Sequence, residues 1–182
     1  MRRLLAACCL AAVLGGTAQA QSIKVGIGFS AGMDVPIGQE DQKSGSLFGF
    51  KARIKLLPAI ALEPNLFFTK YGQPSPKEIP DYDLPGSKIT AYGVDATLGA
   101  NVGGTGIKPY GILGVGYYTV KREEADQKFS EIGWSAGLGL EVGITSVVGL
   151  DFRGKLVIIP VDGGDSKKAA SLTGGLNYYF GN

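Results

Sequence analysis

The stretch Ile132 to Ile144, IGWSAGLGLEVGI, leaves few folds open to this chain. Ile132, Trp134, Ala136, Leu138, Leu140, Val142 and Ile144 fall on one parity, and Gly133, Ser135, Gly137, Gly139, Glu141 and Gly143 on the other. A period of two sends successive side chains to opposite faces of a strand. A soluble sandwich fills its inner face with bulk and keeps charge outside. Here the bulk is all on one face, and the other is nearly empty apart from a single carboxylate. That pattern suits a strand with lipid against the bulky face and a narrow barrel interior against the small one. The run also exceeds the roughly 9–11 residues that a tilted membrane strand needs.

The first twenty residues stand apart from this pattern. Arg2 and Arg3 form a positive n-region, Leu4 to Leu14 an apolar h-region, and Ala18-Gln19-Ala20 a small-x-small cleavage site, so residues 1–20 read as a secretory signal cut before Gln21. Leu5-Ala6-Ala7-Cys8 has the look of a lipobox, but seven residues before the cysteine leave almost no h-region. Cleavage removes both cysteines, Cys8 and Cys9, and the two arginines of the signal. The 18 basic residues of the whole chain thereby fall to 16 against 16 acidic ones. A neutral exported domain, 21–182, must then hold together through its sheet rather than by disulfides. Zero net charge argues against nucleic acid as a partner. No later run approaches the 18 apolar residues of a membrane helix.

Seven more strands follow from the same alternation. They are expected at Ser22–Ala31, Ser46–Leu56, Ile60–Tyr71, Lys88–Asn101, Lys108–Val120, Val148–Ile159 and Ala169–Phe180. Between the first two lies a polar stretch, Gly32 to Gly45, read as a loop. Strand five is apolar on both parities; Leu113, Val115 and Tyr117 are placed outward, and Tyr110, Ile112, Gly114, Gly116 and Tyr118 inward. The connections alternate between long and short. An up-and-down barrel inserted from one side has this rhythm, and its even strand count returns the C-terminus to the side of the N-terminus. The fold class expected is all-β: a closed, antiparallel, up-and-down transmembrane barrel of eight strands.

Charge settles the register of strand two. A one-residue slip would turn Lys51, Arg53 and Lys55 toward lipid, at a cost of roughly 2–4 kcal/mol for a basic side chain at the midplane. They must point inward, into a lumen just wide enough for side chains, so a packed polar core is expected rather than a channel. Buried charges need partners. The cations Lys51, Arg53, Lys55, Arg153 and Lys155 are therefore matched with the carboxylates Glu63, Asp95, Glu141 and Asp151. A three-residue turn, Leu57-Pro58-Ala59, would set Leu56 against Ile60 and Arg53 against Glu63. A similar turn, Thr145-Ser146-Val147, would set Glu141 against Asp151 with Arg153 diagonal. Pro64 sits mid-strand where no edge exists to hide it, so a bulge or a broken ladder bond is expected there; Pro109, near a strand start, is milder.

Signal, eight amphipathic strands and the aromatic ending Leu176-Asn177-Tyr178-Tyr179-Phe180 together resemble the small outer-membrane barrels of the OmpA/OmpX type. The resemblance rests on pattern and topology over the whole mature chain. It implies residence in the outer membrane of a diderm bacterium, contact with outer-membrane lipid, and recognition of the C-terminal strand by the barrel-assembly machinery. Gly181 and Asn182 depart from it, because such barrels commonly end on the aromatic residue. A monomer is expected, with Tyr92, Tyr117, Trp134, Tyr178 and Phe180 as an aromatic girdle at the membrane interfaces.

Little in the chain speaks for chemistry. The absence of histidine removes Ser-His-Asp triads and histidine metal sites, and the mature chain has no cysteine nucleophile. No catalytic residue, cofactor or metal is assigned. The glycines of Gly26-x-Gly28 and Gly114-x-Gly116 read as small lumen residues rather than nucleotide loops, having no helix after them. Asp162-Gly163-Gly164-Asp165 reads as a solvated turn before a cation site. The proline-rich connection Gly72 to Gly86, with Glu78, Asp81, Tyr82 and Asp83, is the candidate for meeting an extracellular ligand, though a neutral spacer is the plainer reading. The role expected is structural or surface-interacting through four extracellular loops. Three alternatives stand beside it: a narrow porin-like pore for small solutes, an outer-membrane enzyme, and a soluble exported barrel of lipocalin type.

Overall fold

Alternation carries through eight strands: β1 (Val25–Ile37), β2 (Gly45–Leu57), β3 (Ile60–Tyr71), β4 (Ser87–Leu98), β5 (Gly106–Arg122), β6 (Lys128–Gly143), β7 (Val148–Ile159) and β8 (Lys167–Phe180). Each pairs antiparallel with its neighbours in sequence, and β8 returns to β1, so the sheet closes into a barrel with no edge. This computed structural model describes residues 24–37, 43–71, 87–99, 103–122, 128–160 and 166–180. The expected signal segment and cleavage site, the whole proline-rich connection Gly72 to Gly86, the Asp162–Asp165 stretch and the Gly181-Asn182 overhang lie outside the described residues.

The faces divide as lipid and lumen would divide them. Ile27, Phe50, Leu113, Trp134, Leu138, Phe152, Leu156 and Leu172 all point out of the barrel and are more than half exposed. Lys51, Arg53, Glu63, Asp95, Glu141, Asp151 and Arg153 point in and are buried. A lipocalin-like barrel has the reverse arrangement. Its bulky residues would be inside, so the soluble alternative does not describe this sheet.

Most boundaries fall within two residues of the sequence expectation; the larger departures lie in β1, β4 and β6. β1 runs on to Ile37, because Met33, Val35 and Ile37 continue the outward row while Asp34 turns inward. Gly32, Asp34 and Pro36 resemble a loop only when their parity is ignored. β6 starts at Lys128, four residues earlier than expected. β4 stops at Leu98, where Gly99 takes a φ of 99°, a left-handed value that glycine adopts without strain. The β4–β5 connection consequently spans 99–105, with Gly103, Gly104 and Gly106 also at positive φ, and the alternation of connection lengths is only partial.

The β2–β3 turn is tighter than three residues. Pro58 and Ala59 make it, Leu57 rather than Leu56 pairs with Ile60, and an irregularity between Lys55 and Leu57 takes up the extra residue. Beyond it the register is unchanged. At Pro64 the β2–β3 ladder lapses: pairs stop at Lys51↔Asn65 and resume at Ile54↔Leu62. The register does not shift across the gap, and on the other side Pro64↔Val94 pairs regularly. The proline thus removes ladder contacts toward β2 without a bulge, since it lacks the N–H a ladder needs.

Candidate functional site

The inward parity of β2, β3, β4, β6 and β7 meets at the waist of the barrel. The register on either side of the Pro64 gap puts Arg53 opposite Glu63, and Arg53 Nε donates to Glu63 Oε1. Arg53 also reaches across the lumen, with Nη1 2.6 Å from Glu141 Oε2 and Nη2 3.5 Å from Asp151 Oδ1. Arg153 Nη1 lies 2.5 Å from Glu63 Oε2, and its Nε donates to Asp151 Oδ2 at 2.6 Å. Lys51 pairs with Asp151. Lys155 Nζ lies 2.9 Å from Asp95 Oδ2. Glu141 and Asp151 are register partners on β6 and β7, and Arg53 is the cation that touches both.

Lys51, Arg53, Arg153 and Lys155 therefore stand against Glu63, Asp95, Glu141 and Asp151, four charges of each sign in one connected layer. Buried ion pairs survive only with good geometry and further hydrogen bonds. Both are present here. Tyr110 donates to Asp151 and Tyr179 to Glu141, while Asn177 Nδ2 donates to Glu141 Oε2 at 2.8 Å. The guanidinium carbons of Arg53 and Arg153 stand 4.9 and 5.5 Å from the Tyr110 ring centre, within cation–π range. Lys55 is half-buried at the β2–β3 bulge and stands outside the layer. Below the layer Lys108 Nζ bonds the carbonyls of Gly103 and Gly104, each at 2.7 Å, and lies 3.7 Å from Glu141 Oε1.

A rule of size explains how eight strands enclose so much. Large inward residues lie across from inward glycines on the adjoining strand: Tyr110 faces Gly139, Tyr179 faces Gly26, Phe67 faces Gly49, Lys51 faces Gly28, Asp95 faces Gly114 and Lys155 faces Gly137. In each pair the large side chain lies close against the place a Cβ would take on the glycine. A barrel this narrow has room for a large ring or a long cation only where its neighbour has no side chain. Among these, Gly26, Gly28 and Gly114 are glycines singled out in the sequence, and their role is this packing.

The lumen is not polar throughout, and here the expectation of a packed polar core needs correction. Toward the end opposite the chain termini apolar inward residues (Leu47, Phe67, Ile89, Ala91, Val120, Val157 and Ile159) join polar ones, among them Asn65, Thr69, Tyr118 and Ser171, in lining a cavity of about 70 Å³. Its floor is the Asp95–Lys155 pair; on one wall Asp34 accepts hydrogen bonds from Tyr71 at 2.7 Å and Ser171 at 2.6 Å. The charged residues drew attention on sequence because charge is costly to misplace. The apolar members of the same inward rows carry no such signal, and only their parity marks them.

The outward aromatics are placed as follows. Tyr92 and Tyr117 pair across β4 and β5 with ring centres 5.2 Å apart, and Trp134 is 62 % exposed on the lipid-side face of β6. Tyr178 and Phe180 pack edge to face at 5.0 Å near the chain termini.

The family model of the outer membrane protein beta-barrel domain matches residues 6–180. Among curated proteins none matches the chain. Among solved structures, Neisserial surface protein A is similar with a TM-score of 0.62 and 16% identity over 88% of this chain and 98% of its own. The N-terminal barrel domain of Pseudomonas aeruginosa OprF has a TM-score of 0.54 and 15% identity over 85% and 97%. Ail, the attachment invasion locus protein of Yersinia pestis, solved with the heparin analogue sucrose octasulfate, has a TM-score of 0.55 and 18% identity over 88% and 100%. These likenesses concern the fold; the family match covers nearly the whole chain, which belongs to the outer membrane protein beta-barrel domain family and is a bacterial outer-membrane protein.

Proposed function

We propose that this barrel is a non-catalytic, non-conducting protein of the outer membrane whose role is structural or surface-interacting, exerted through its four long connections. The observation that carries the reading is the charged layer at the waist. Arg53, Glu63, Glu141 and Asp151 are each no more than 2 % exposed, so water reaches them from neither end. At the waist their charges are spent on one another, which leaves no free carboxylate pair in this layer for acid–base work and no continuous path for a solute past it. What remains available to other molecules is the outer end. Ail, by its name, is an attachment protein of similar fold, and a role in attachment is compatible with a barrel that is closed inside.

The same reading includes cleavage before Gln21, outer-membrane lipid around the outward face, a girdle formed by Tyr92, Tyr117, Trp134, Tyr178 and Phe180, a monomer, and assembly through the C-terminal strand β8. Single-channel recording in planar bilayers tests its core. The refolded protein is expected to give no stepwise currents. Reproducible steps from the wild-type chain would replace this reading with a narrow solute pore.

A further inference from the structure

Among the described residues, every lysine on an outward row of the strands lies toward the end opposite the chain termini. Lys70 and Lys121 end the outward rows of β3 and β5, Lys88 begins that of β4, and all three are exposed. The register sets them directly opposite one another, as Lys70↔Lys88 and Lys88↔Lys121, and the pair Lys121↔Lys128 carries the row onto β6. We propose that this lysine row binds the phosphates of lipid headgroups in the outer leaflet, so that the barrel wall itself selects its neighbouring lipid. The inference goes beyond the proposed surface role and takes from it only the orientation, with the long connections outward.

Repulsion is the first reason. Like charges directly opposite across a ladder destabilise it, and here the register places four lysines in one unbroken row. An anion lying along the row removes that cost. Among the described residues the outward rows of β3, β4, β5 and β6 hold no carboxylate, so the wall does not supply the anion itself.

The rows beneath the lysines say where the anion comes from. Leu66, Tyr92, Tyr117 and Ile132 are successive register partners; the next row outward is Phe68, Thr90, Thr119 and Ser130, with the last two hydroxyls bonded at 3.0 Å; the lysines follow. Apolar and aromatic, then hydroxyl, then cation is the order in which a lipid presents acyl chain, ester region and phosphate to a membrane protein. A lipid anchored by its chains on the lower row therefore brings its phosphate to the lysines, which a soluble anion has no means to do.

Asymmetry is the last reason. At the other interface the outward rows end on Leu56, Leu98, Ile107 and Phe180, while Lys24, Lys55 and Lys108 lie on inward rows. Snorkelling of long cationic side chains would serve equally at both interfaces. Outward lysines at one interface only match a leaflet that carries the phosphate charge. Lys168 on β8 is a fifth at the same end, but its ladder partners are Ile37 and Ile158, so it stands outside the row.

Trp134 reads the lipid beside the row, being the only tryptophan and lying on the same outward row of β6 as Lys128. The refolded barrel is placed in phosphatidylcholine vesicles carrying either brominated phosphatidic acid or the same share of brominated phosphatidylcholine. The two quenching curves give the relative affinity of the lipids for this face. One basic residue near an anionic surface changes affinity by about fivefold, so the wild-type chain should favour phosphatidic acid by at least about that factor. Salt at about 1 M should erase the preference, because charge is then screened within about 3 Å. Combining Lys70→Gln, Lys88→Gln and Lys121→Gln should bring the two lipids to parity, with heat-modifiable gel mobility and quenching by brominated phosphatidylcholine unchanged. Lys168→Gln should leave the preference within about twofold of wild type, since it removes no member of the row. Parity in the wild-type chain, expected if carboxylates of its own connections neutralise the lysines, would overturn the proposal. So would a preference that survives the triple substitution, or one that Lys168→Gln removes as completely. Competition by millimolar inorganic phosphate would also overturn it, by making the row a site for a soluble anion.

Discussion

Tyr110 on β5 lies directly across from Gly139 on β6, and its ring occupies the space a Cβ at residue 139 would need. The ring cannot simply move aside. Its hydroxyl is bound to Asp151, and two guanidinium groups stand near its ring. Gly139→Ala therefore overpacks the waist, and a loss of about 1–3 kcal/mol in unfolding free energy is expected. Gly111→Ala is the matching control. It faces outward with nothing nearer than Leu98 at 4.0 Å, so its effect should stay within about 0.5 kcal/mol. Urea titration in lipid vesicles, read by heat-modifiable mobility, measures both.

The contrast between these two glycines shows what could be read without coordinates. Their parity separates them: Gly139 shares the inward row of Glu141, whereas Gly111 shares the outward row of Leu113. The opposition of Arg53 and Glu63 was also legible, because a short turn and a strict period of two leave a single register. Two things were not. The continuation of β1 past Ala31 was hidden by Gly32, Asp34 and Pro36, inward residues that also favour turns. The cavity with its partly apolar lining was hidden for a different reason. Alternation says which face a residue is on, but what fills the lumen at a given height depends on how strands are staggered around the barrel, and Ile89, Val120 and Val157 come together only through that stagger.

Trp134 gives a direct test of which face meets lipid, since the chain has a single tryptophan and its side chain is 62 % exposed on the outward row. In vesicles containing lipids brominated on the acyl chain, its fluorescence should be strongly quenched and blue-shifted. Aqueous acrylamide should have little effect. The opposite result, quenching by acrylamide and indifference to bromine, would place this face in water and invert the barrel.

Pro64 offers a gain rather than a loss. The β2–β3 ladder lapses where its missing N–H would face Ala52, while its side chain points outward. Pro64→Val supplies the donor, keeps an apolar lipid-facing side chain, and suits strand backbone. One ladder hydrogen bond is worth about 0.5–1.5 kcal/mol net, so stability should rise by that order. Hydrogen exchange checks the cause: the new amide at residue 64 should be protected as well as those of the neighbouring strand residues. An exposed amide with no stability change would mean that the lapse is imposed by the barrel's curvature instead.

Arg53 touches three carboxylates in the waist, Glu63, Glu141 and Asp151. Arg53→Met keeps much of the volume and leaves the layer with one uncompensated negative charge. Breaking a buried pair from one side costs about 3–5 kcal/mol. Adding Glu63→Gln to it restores the charge balance of the layer, at three cations against three carboxylates. The double variant is therefore expected to be more stable than Arg53→Met alone, though below wild type, because Glu141 still lacks its guanidinium partner. Urea midpoints for the two singles, the double and the parent complete a thermodynamic cycle, and a positive coupling above about 0.5 kcal/mol is the expected sign of interacting sites. Additive losses would mean that Arg53 and Glu63 act independently, and that their direct pairing contributes nothing to the stability of the layer.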